Sequence, residues 1–151
     1  MARRPEKGRC MELPVVNYLV LDSDGAHLEA QECETCGARY LERRMACARC
    51  GKRKFVSRRL SDRGTIGSFT IVHRAAKTVH VPFASAIVDL DDGTTVKANV
   101  LGCDPDPGVI RLGLPVRLRT FEAGADDNGT VAIAFGYEPD VAPTGVGEGK
   151  L

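Results

Sequence analysis

Two cysteine pairs, Cys33-Glu34-Thr35-Cys36 and Cys47-Ala48-Arg49-Cys50, lie ten residues apart, and each is followed by a glycine, Gly37 or Gly51. A CxxC turn, or knuckle, aims two thiolates and several backbone N–H groups at one point. Glycine after the second cysteine lets the chain leave the turn with positive φ. Two such turns fill the tetrahedral shell of a metal that accepts four thiolates, so Cys33, Cys36, Cys47 and Cys50 are expected to bind one Zn2+ in a ribbon-type site. Iron is the second choice of metal. A shell closed by four cysteines has no open position, and the zinc reads as structural. Two disulfides would need an oxidising compartment. A thioredoxin-like redox pair would need one CxxC opening a helix.

The remaining candidates for chemistry are sparse. Cys10 and Cys103 stand outside the pairs, and there are three histidines, His27, His73 and His80. A nucleophilic cysteine needs a depressed pKa, a base and an oxyanion hole. Cys103 with His73 is the one constellation of that kind, and it lacks a glycine-flanked nucleophile motif. Cys103 is expected to be packed in a β-rich region and His73 to lie on a rim or at a partner contact, so no catalytic residue is assigned. Charge is more telling. Residues 39–63 hold ten Lys and Arg against two acids, Glu42 and Asp62, a net +8; in a chain of net +1 the rest carries −7. Arginine forks suit phosphates. The cluster therefore reads as a phosphate-holding face, as a nucleic-acid contact, or as a solvated basic surface. Single-strand binders usually also offer stacking aromatics. Here Phe69, Phe83, Phe121, Phe135 and Tyr137 fall mostly where alternation sends side chains inward, which argues against nucleic acid.

The elements that must carry these residues are mostly strands. The chain has 151 residues, 43% of them apolar and 5% aromatic, with 16 glycines, eight prolines and no tryptophan; this suits one domain plus a small module built of short strands. Residues 1–30 read as a basic arm, an apolar stretch and a turn at 22–25, followed by an alternating run into the first knuckle. Tyr40 and Leu41 are expected to pack against the metal site. From residue 64 the pattern is β: 64–74, 81–90, a hairpin turn at 91–93, 94–101, 116–121 and 131–137. A glycine inside the long first strand marks where a barrel strand coils around a corner. Five antiparallel strands after a metal ribbon suggest an OB-type barrel. The expected organisation is an arm and leading segment (1–30), a zinc ribbon (31–60), an OB barrel (61–139) and a disordered tail (140–151). No apolar stretch directly follows the charged N-terminus, and no run approaches the roughly 18 apolar residues of a membrane span. A cytoplasmic protein without membrane contact is expected.

In order as well as in motif, these residues resemble the zinc-ribbon plus OB-fold proteins that accompany thiolases and thiolase-like enzymes. The series runs from the CxxCG pairs through 63–74, Val81-Pro82-Phe83 and the 87–93 hairpin to 99–105 and 112–116. It covers roughly Gln31 to Pro139. Members include the small subunits of benzoylsuccinyl-CoA thiolase, of the archaeal acetoacetyl-CoA thiolase/hydroxymethylglutaryl-CoA synthase assembly, of phloroglucinol acetyltransferases and of steroid side-chain aldolases. The resemblance implies a mainly β fold, a rubredoxin-like four-cysteine zinc ribbon followed by a five-stranded OB-fold barrel. It also implies an accessory role beside a thiolase-fold large subunit, in a heterotetramer around that subunit's dimer, with the CoA thioester at the shared interface. The CoA phosphates would then meet Arg39, Arg43, Arg44, Arg53 and Lys54. The alternatives are a small subunit of a CoA-thioester aldolase or acyltransferase, and a single-stranded nucleic-acid-binding ribbon/OB protein. Two features depart from the family pattern: residues 42–47 lack the proline many members carry before the second knuckle, and residues 12–22 match poorly the helix that usually precedes the ribbon.

Overall fold

A computed structural model describes residues 11–140; the basic arm, Cys10 and all but the first residue of the expected tail lie outside them. The described residues form ten strands and no helix. The leading segment is extended: it forms β1 (Glu12–Pro14) and β2 (Leu19–Asp22). The turn after Asp22 returns the chain as β3 (Gly25–Cys33), antiparallel to β2. β3 then pairs with both β4 (Arg39–Tyr40) and β5 (Phe55–Arg59). The two knuckles hang from this small sheet, one at the end of β3 and one between β4 and β5.

The barrel strands are β6 (Arg63–Val72), β7 (Phe83–Leu90), β8 (Thr95–Val100), β9 (Pro115–Ala125) and β10 (Val131–Pro139). They join in the order β6-β7-β8-β10-β9 and close because β9 also pairs with β6. Alternation along β7 buries Ala84, Ala86, Val88 and Leu90 and leaves the residues between them nearer to solvent. This period of two is what a sheet with one face on the core requires. β6 shifts register between Ile66 and Ser68, so Gly67 is the extra residue that bends the strand around the corner.

Two features differ from the expected five antiparallel strands. The junction between β8 and β10 is parallel, with Tyr137 opposite Val100 and the Leu101 amide donating to the Tyr137 carbonyl at 2.7 Å. β1 adds a sixth strand, parallel to the start of β10. One hydrophobic cluster runs through the molecule. It joins Leu19, Leu28, Ala30 and Leu60 from the ribbon side to Ile66, Val88, Val96, Val116 and Tyr137 of the barrel. The basic ribbon and the barrel thus share a core.

Tyr137 is fully buried, and its hydroxyl has no hydrogen-bond partner among the described residues. Burial raises its pKa above the ordinary tyrosine value, with Asp62 and Asp92 adding to the shift. An unpaired buried hydroxyl contributes nothing to stability while its ring fills the core. Tyr137→Phe is therefore expected to unfold within about 1 kcal/mol of the parent, or above it, whereas Tyr137→Ala costs about 3–5 kcal/mol. Thermal or urea unfolding of the metal-loaded chain checks both.

Candidate metal centre and the basic face around it

Both knuckles repeat one backbone pattern. The Gly37 and Gly51 amides donate to the carbonyls of Cys33 and Cys47, at 2.9 and 2.8 Å. The Cys33 and Cys47 amides in turn donate to the carbonyls of Ala38 and Lys52. Gly37 and Gly51 both have φ of 75°, the left-handed turn that a side chain would strain. The repeated turns bring the four sulfurs within 4.8 Å of one another. The Cys33–Cys50 and Cys36–Cys47 separations are 3.6 and 3.5 Å. Four ligands in a tetrahedron, each about 2.3 Å from a central Zn2+, stand about 3.8 Å apart. The cluster fits such an ion closely. Cys33 and Cys47 are buried, while Cys36 and Cys50 reach the surface.

Tyr40 supports the cluster from outside. Its hydroxyl lies 3.4 Å from the Cys47 sulfur and accepts a hydrogen bond from the Ala48 amide at 3.1 Å. The hydroxyl holds the Cys47 thiol down, to about 6. Partners of this kind orient a ligand and tune its basicity. The sequence placed Tyr40 beside the site but gave no sign that its hydroxyl was the contact. Tyr40→Phe is expected to keep the fold and lower metal affinity by about 10-fold, which competition with a chromophoric chelator measures.

The five basic candidates separate. Arg39 is engaged: its Nε donates to Glu32 at 2.7 Å, and its Nη1 reaches the Asp92 carbonyl and the Thr94 hydroxyl at 3.4 Å on the β7–β8 turn. Asp92 in turn accepts from the Ser61 amide at 2.7 Å. Arg39 is thus a strut between ribbon and barrel, and the sequence did not show it. Glu32 also accepts from Arg58, and the two guanidiniums, Arg39 first, hold its carboxyl below the usual range. Arg44 lies over the Tyr40 ring, 4.4 Å from its centre, a cation–π contact. Arg43, Arg44, Arg53 and Lys54 have no acidic partner within 4 Å among the described residues. Arg43 and Arg44 line an open groove of about 1120 Å³ between the ribbon and the β7–β8 turn. The same two residues, with Arg53, line a second groove of about 710 Å³. Lys54 is exposed and lines neither.

Cys103 and His73 do not form a pair. Cys103 is half-buried against the core and its thiol is pushed up, by burial and then by Asp104, the wrong direction for a nucleophile. His73 and His80 are exposed, and His27 is buried between Asp22 and Glu29. Among the described residues no helix is long and apolar enough to cross a membrane.

Comparison with known proteins gives the same two parts in the same order. Residues 27–56 match the rubredoxin-like zinc ribbon domain of ChsH2, and residues 57–121 match the ChsH2 C-terminal OB-fold domain. A DUF35 domain-containing scaffold protein of Methanocaldococcus jannaschii is 27% identical over 109 residues, 70% of this chain and 75% of the relative. A probable enoyl-CoA hydratase alpha subunit of Thermomonospora curvata is 28% identical over 97 residues, 64% of this chain and 30% of that longer protein. Among solved structures, a chain of the Ltp2-ChsH2(DUF35) aldolase superposes with a TM-score of 0.61 at 26% identity, over 76% of this chain and 86% of that one.

Proposed function

The chain belongs to the ChsH2 family of zinc-ribbon/OB-fold proteins, and from that premise we propose that it is a non-catalytic, zinc-binding subunit of a thiolase-type acyl-CoA enzyme in the cytoplasm. The observation that carries this reading is the tandem: a closed four-sulfur cluster on a basic ribbon, fused through one core to an OB barrel. The ribbon is assigned to 31–60 and the barrel to 61–139. Cys33, Cys36, Cys47 and Cys50 hold Zn2+, and the fit of their spacing to a tetrahedron supports that metal. The ion supplies folding energy at a site with no place for substrate. The acyl-transfer residues belong to a thiolase-fold large subunit, with which the chain forms a heterotetramer. Arg43, Arg44 and Arg53, with Lys54 at the margin, help hold the CoA moiety at the shared interface, and the barrel props the acyl end. Arg39 contributes by fixing the ribbon against the barrel.

The resemblance to a chain of an aldolase complex favours a second reading, in which the partner cleaves a CoA thioester by retro-aldol chemistry. Nucleic acid is disfavoured, because Phe121 is the barrel's exposed large aromatic while Tyr137 is buried. The test is purification of the tagged full chain from its own cells, with mass spectrometry and metal analysis. A thiolase-fold protein in equal amount and one zinc per chain are expected. A chain that purifies alone, or with nucleic acid, overturns the proposal. Turnover of a β-ketoacyl-CoA against a β-hydroxyacyl-CoA by the complex separates the two readings.

A further inference from the structure

Beyond the stretch where β9 meets β6, the rest of β9 pairs with β10, and β1 borders the start of β10 on its other side. Residues opposite one another in such a sheet share a face. Val131, Ile133 and Phe135 pack on the core, so the alternate residues of β10 look outward. Register then sets Phe121 beside Ala134, and Gly124 and Leu13 on either side of Ala132. The Val131 amide donates to the Met11 carbonyl, and the Val15 amide to that of Ile133, so Met11 and Val15 follow Leu13 onto the outer face. Met11 is 64% exposed, and Leu13 and Val15 are each 50% exposed. A shallow groove of about 340 Å³ runs between Leu13, Gly124 and Ala132. A Cβ added at Gly124 would meet nothing within 4 Å.

The same face ends in charge. Arg117 and Arg119 both donate to Glu138, each at 3.0 Å. Arg63, opposite Arg117 in register, meets Asp140 at 3.3 Å. Three guanidiniums thus stand with two carboxylates. Glu12 and Glu122 fall on the other side, opposite Val131 and Ile133. Asp126, at the groove's end, accepts from the Asn128 and Thr130 amides of its own turn. The ten residues before Met11 add Arg3, Arg4, Lys7 and Arg9 against Glu6.

We propose that this face docks the large subunit of the complex: an apolar ridge of that subunit seats on Leu13, Ala132, Ala134 and Phe121, and a carboxylate beside the ridge meets the arginine end. The inference rests on the accessory-subunit reading above and adds to it a surface, on β1, β9 and β10, that uses neither groove beside the ribbon. Apolar anchors shielded from water carry most of the energy of an interface, and charge at the rim selects the partner. The surplus of guanidinium at one end, and of basic residues before Met11, selects an acidic one. A second copy of the chain does not fit. Whichever way a two-fold axis lies in the face, the arginines of one copy meet either the arginines or the apolar end of the other.

The test compares the zinc-loaded full chain with its purified complex. Amide hydrogen exchange in residues 120–125 and 131–134 is expected to slow about tenfold in the complex. This measurement needs no variant. In competition with the unaltered chain, Leu13→Asp and Gly124→Glu are each expected to weaken binding of the large subunit about tenfold. Arg119→Glu is expected to weaken it as well, by a factor that shrinks as salt is added. Unchanged zinc content and circular dichroism confirm that each variant is folded. Binding that all three variants leave unchanged, with 120–125 exchanging as in the free chain, overturns the face while the accessory-subunit reading stands. A dimer of the chain alone that Gly124→Glu splits also overturns it, since the face then serves a second copy. A tagged chain that recovers no thiolase-fold protein removes the accessory-subunit reading and the face together.

Discussion

Cys36→Ser is expected to abolish metal binding and to unfold the segment between the knuckles while the barrel stays folded. The reason is how little else holds that segment. β4 is two residues long, and β3 meets it over just two residue pairs. Cys33 and Cys47 are buried at the centre of the ribbon, so without an ion the ribbon's own interior consists of thiols pointing at one another. Structural zinc in small fingers supplies on the order of 10 kcal/mol, more than two short strand pairings can replace. The barrel survives because its strands close on one another and its core includes none of the four cysteines. Zinc content measured by mass spectrometry should fall from one per chain to none. Hydrogen exchange should rise between residues 34 and 54 and stay slow in β7 and β8. A metal-free variant with a fully protected ribbon would show that the sulfur cluster is dispensable.

Gly64→Ala should be among the most damaging glycine replacements in the barrel. Gly64 pairs with Leu90 on one side and Val116 on the other, at the point where β6 joins β7 to β9. A Cβ there would stand 2.4 Å from the Asp89 carbonyl oxygen and 2.9 Å from the Leu90 Cα. Both obstacles are backbone and cannot turn aside. Overpacking in a well-packed core costs about 1–3 kcal/mol and sometimes more; a loss near the upper end lowers the melting temperature by about 10 °C for a chain of this size. Gly67→Ala is the control. Its added Cβ would crowd the Asp89 carboxylate, the free end of a side chain that can swing away. A thermal scan in which Gly67→Ala is the worse of the two would contradict this account of the corner.

The cluster of four sulfurs was almost wholly legible in the sequence because its turns are local. Each knuckle closes its own turn within four or five residues, and the CxxCG spacing states that closure directly. The barrel strands were legible where one face is buried, as in 83–90, since alternation records burial. Beyond Thr120, β9 runs on through Phe121, Glu122, Ala123, Gly124 and Ala125, all exposed. No alternation marks that stretch, because pairing with β10 alone holds it. The parallel β8–β10 junction and the attachment of β1 were hidden for the same reason: they join residues far apart in the chain. Charge was legible as a total but not as a distribution. The excess of +8 between residues 39 and 63 gave no hint that Arg39 and Arg58 share Glu32. Among the described residues, that pairing leaves Arg43, Arg44 and Arg53 as the groove cations without an acidic partner.

The parallel junction between β8 and β10 also sets a timetable for the growing chain. Every strand that pairs with the ribbon sheet lies between residues 19 and 59. That sheet and its sulfur cluster can assemble while the ribosome is still translating the barrel. The barrel cannot close until residues 131–139 emerge, for β10 alone bridges β8 to β9. Until then β8 and β9 each present a bare edge, the geometry on which chains stick to one another. The four sulfurs can therefore meet a metal early in the life of this chain, whereas the barrel that hides its apolar interior can close only after its last strand has emerged.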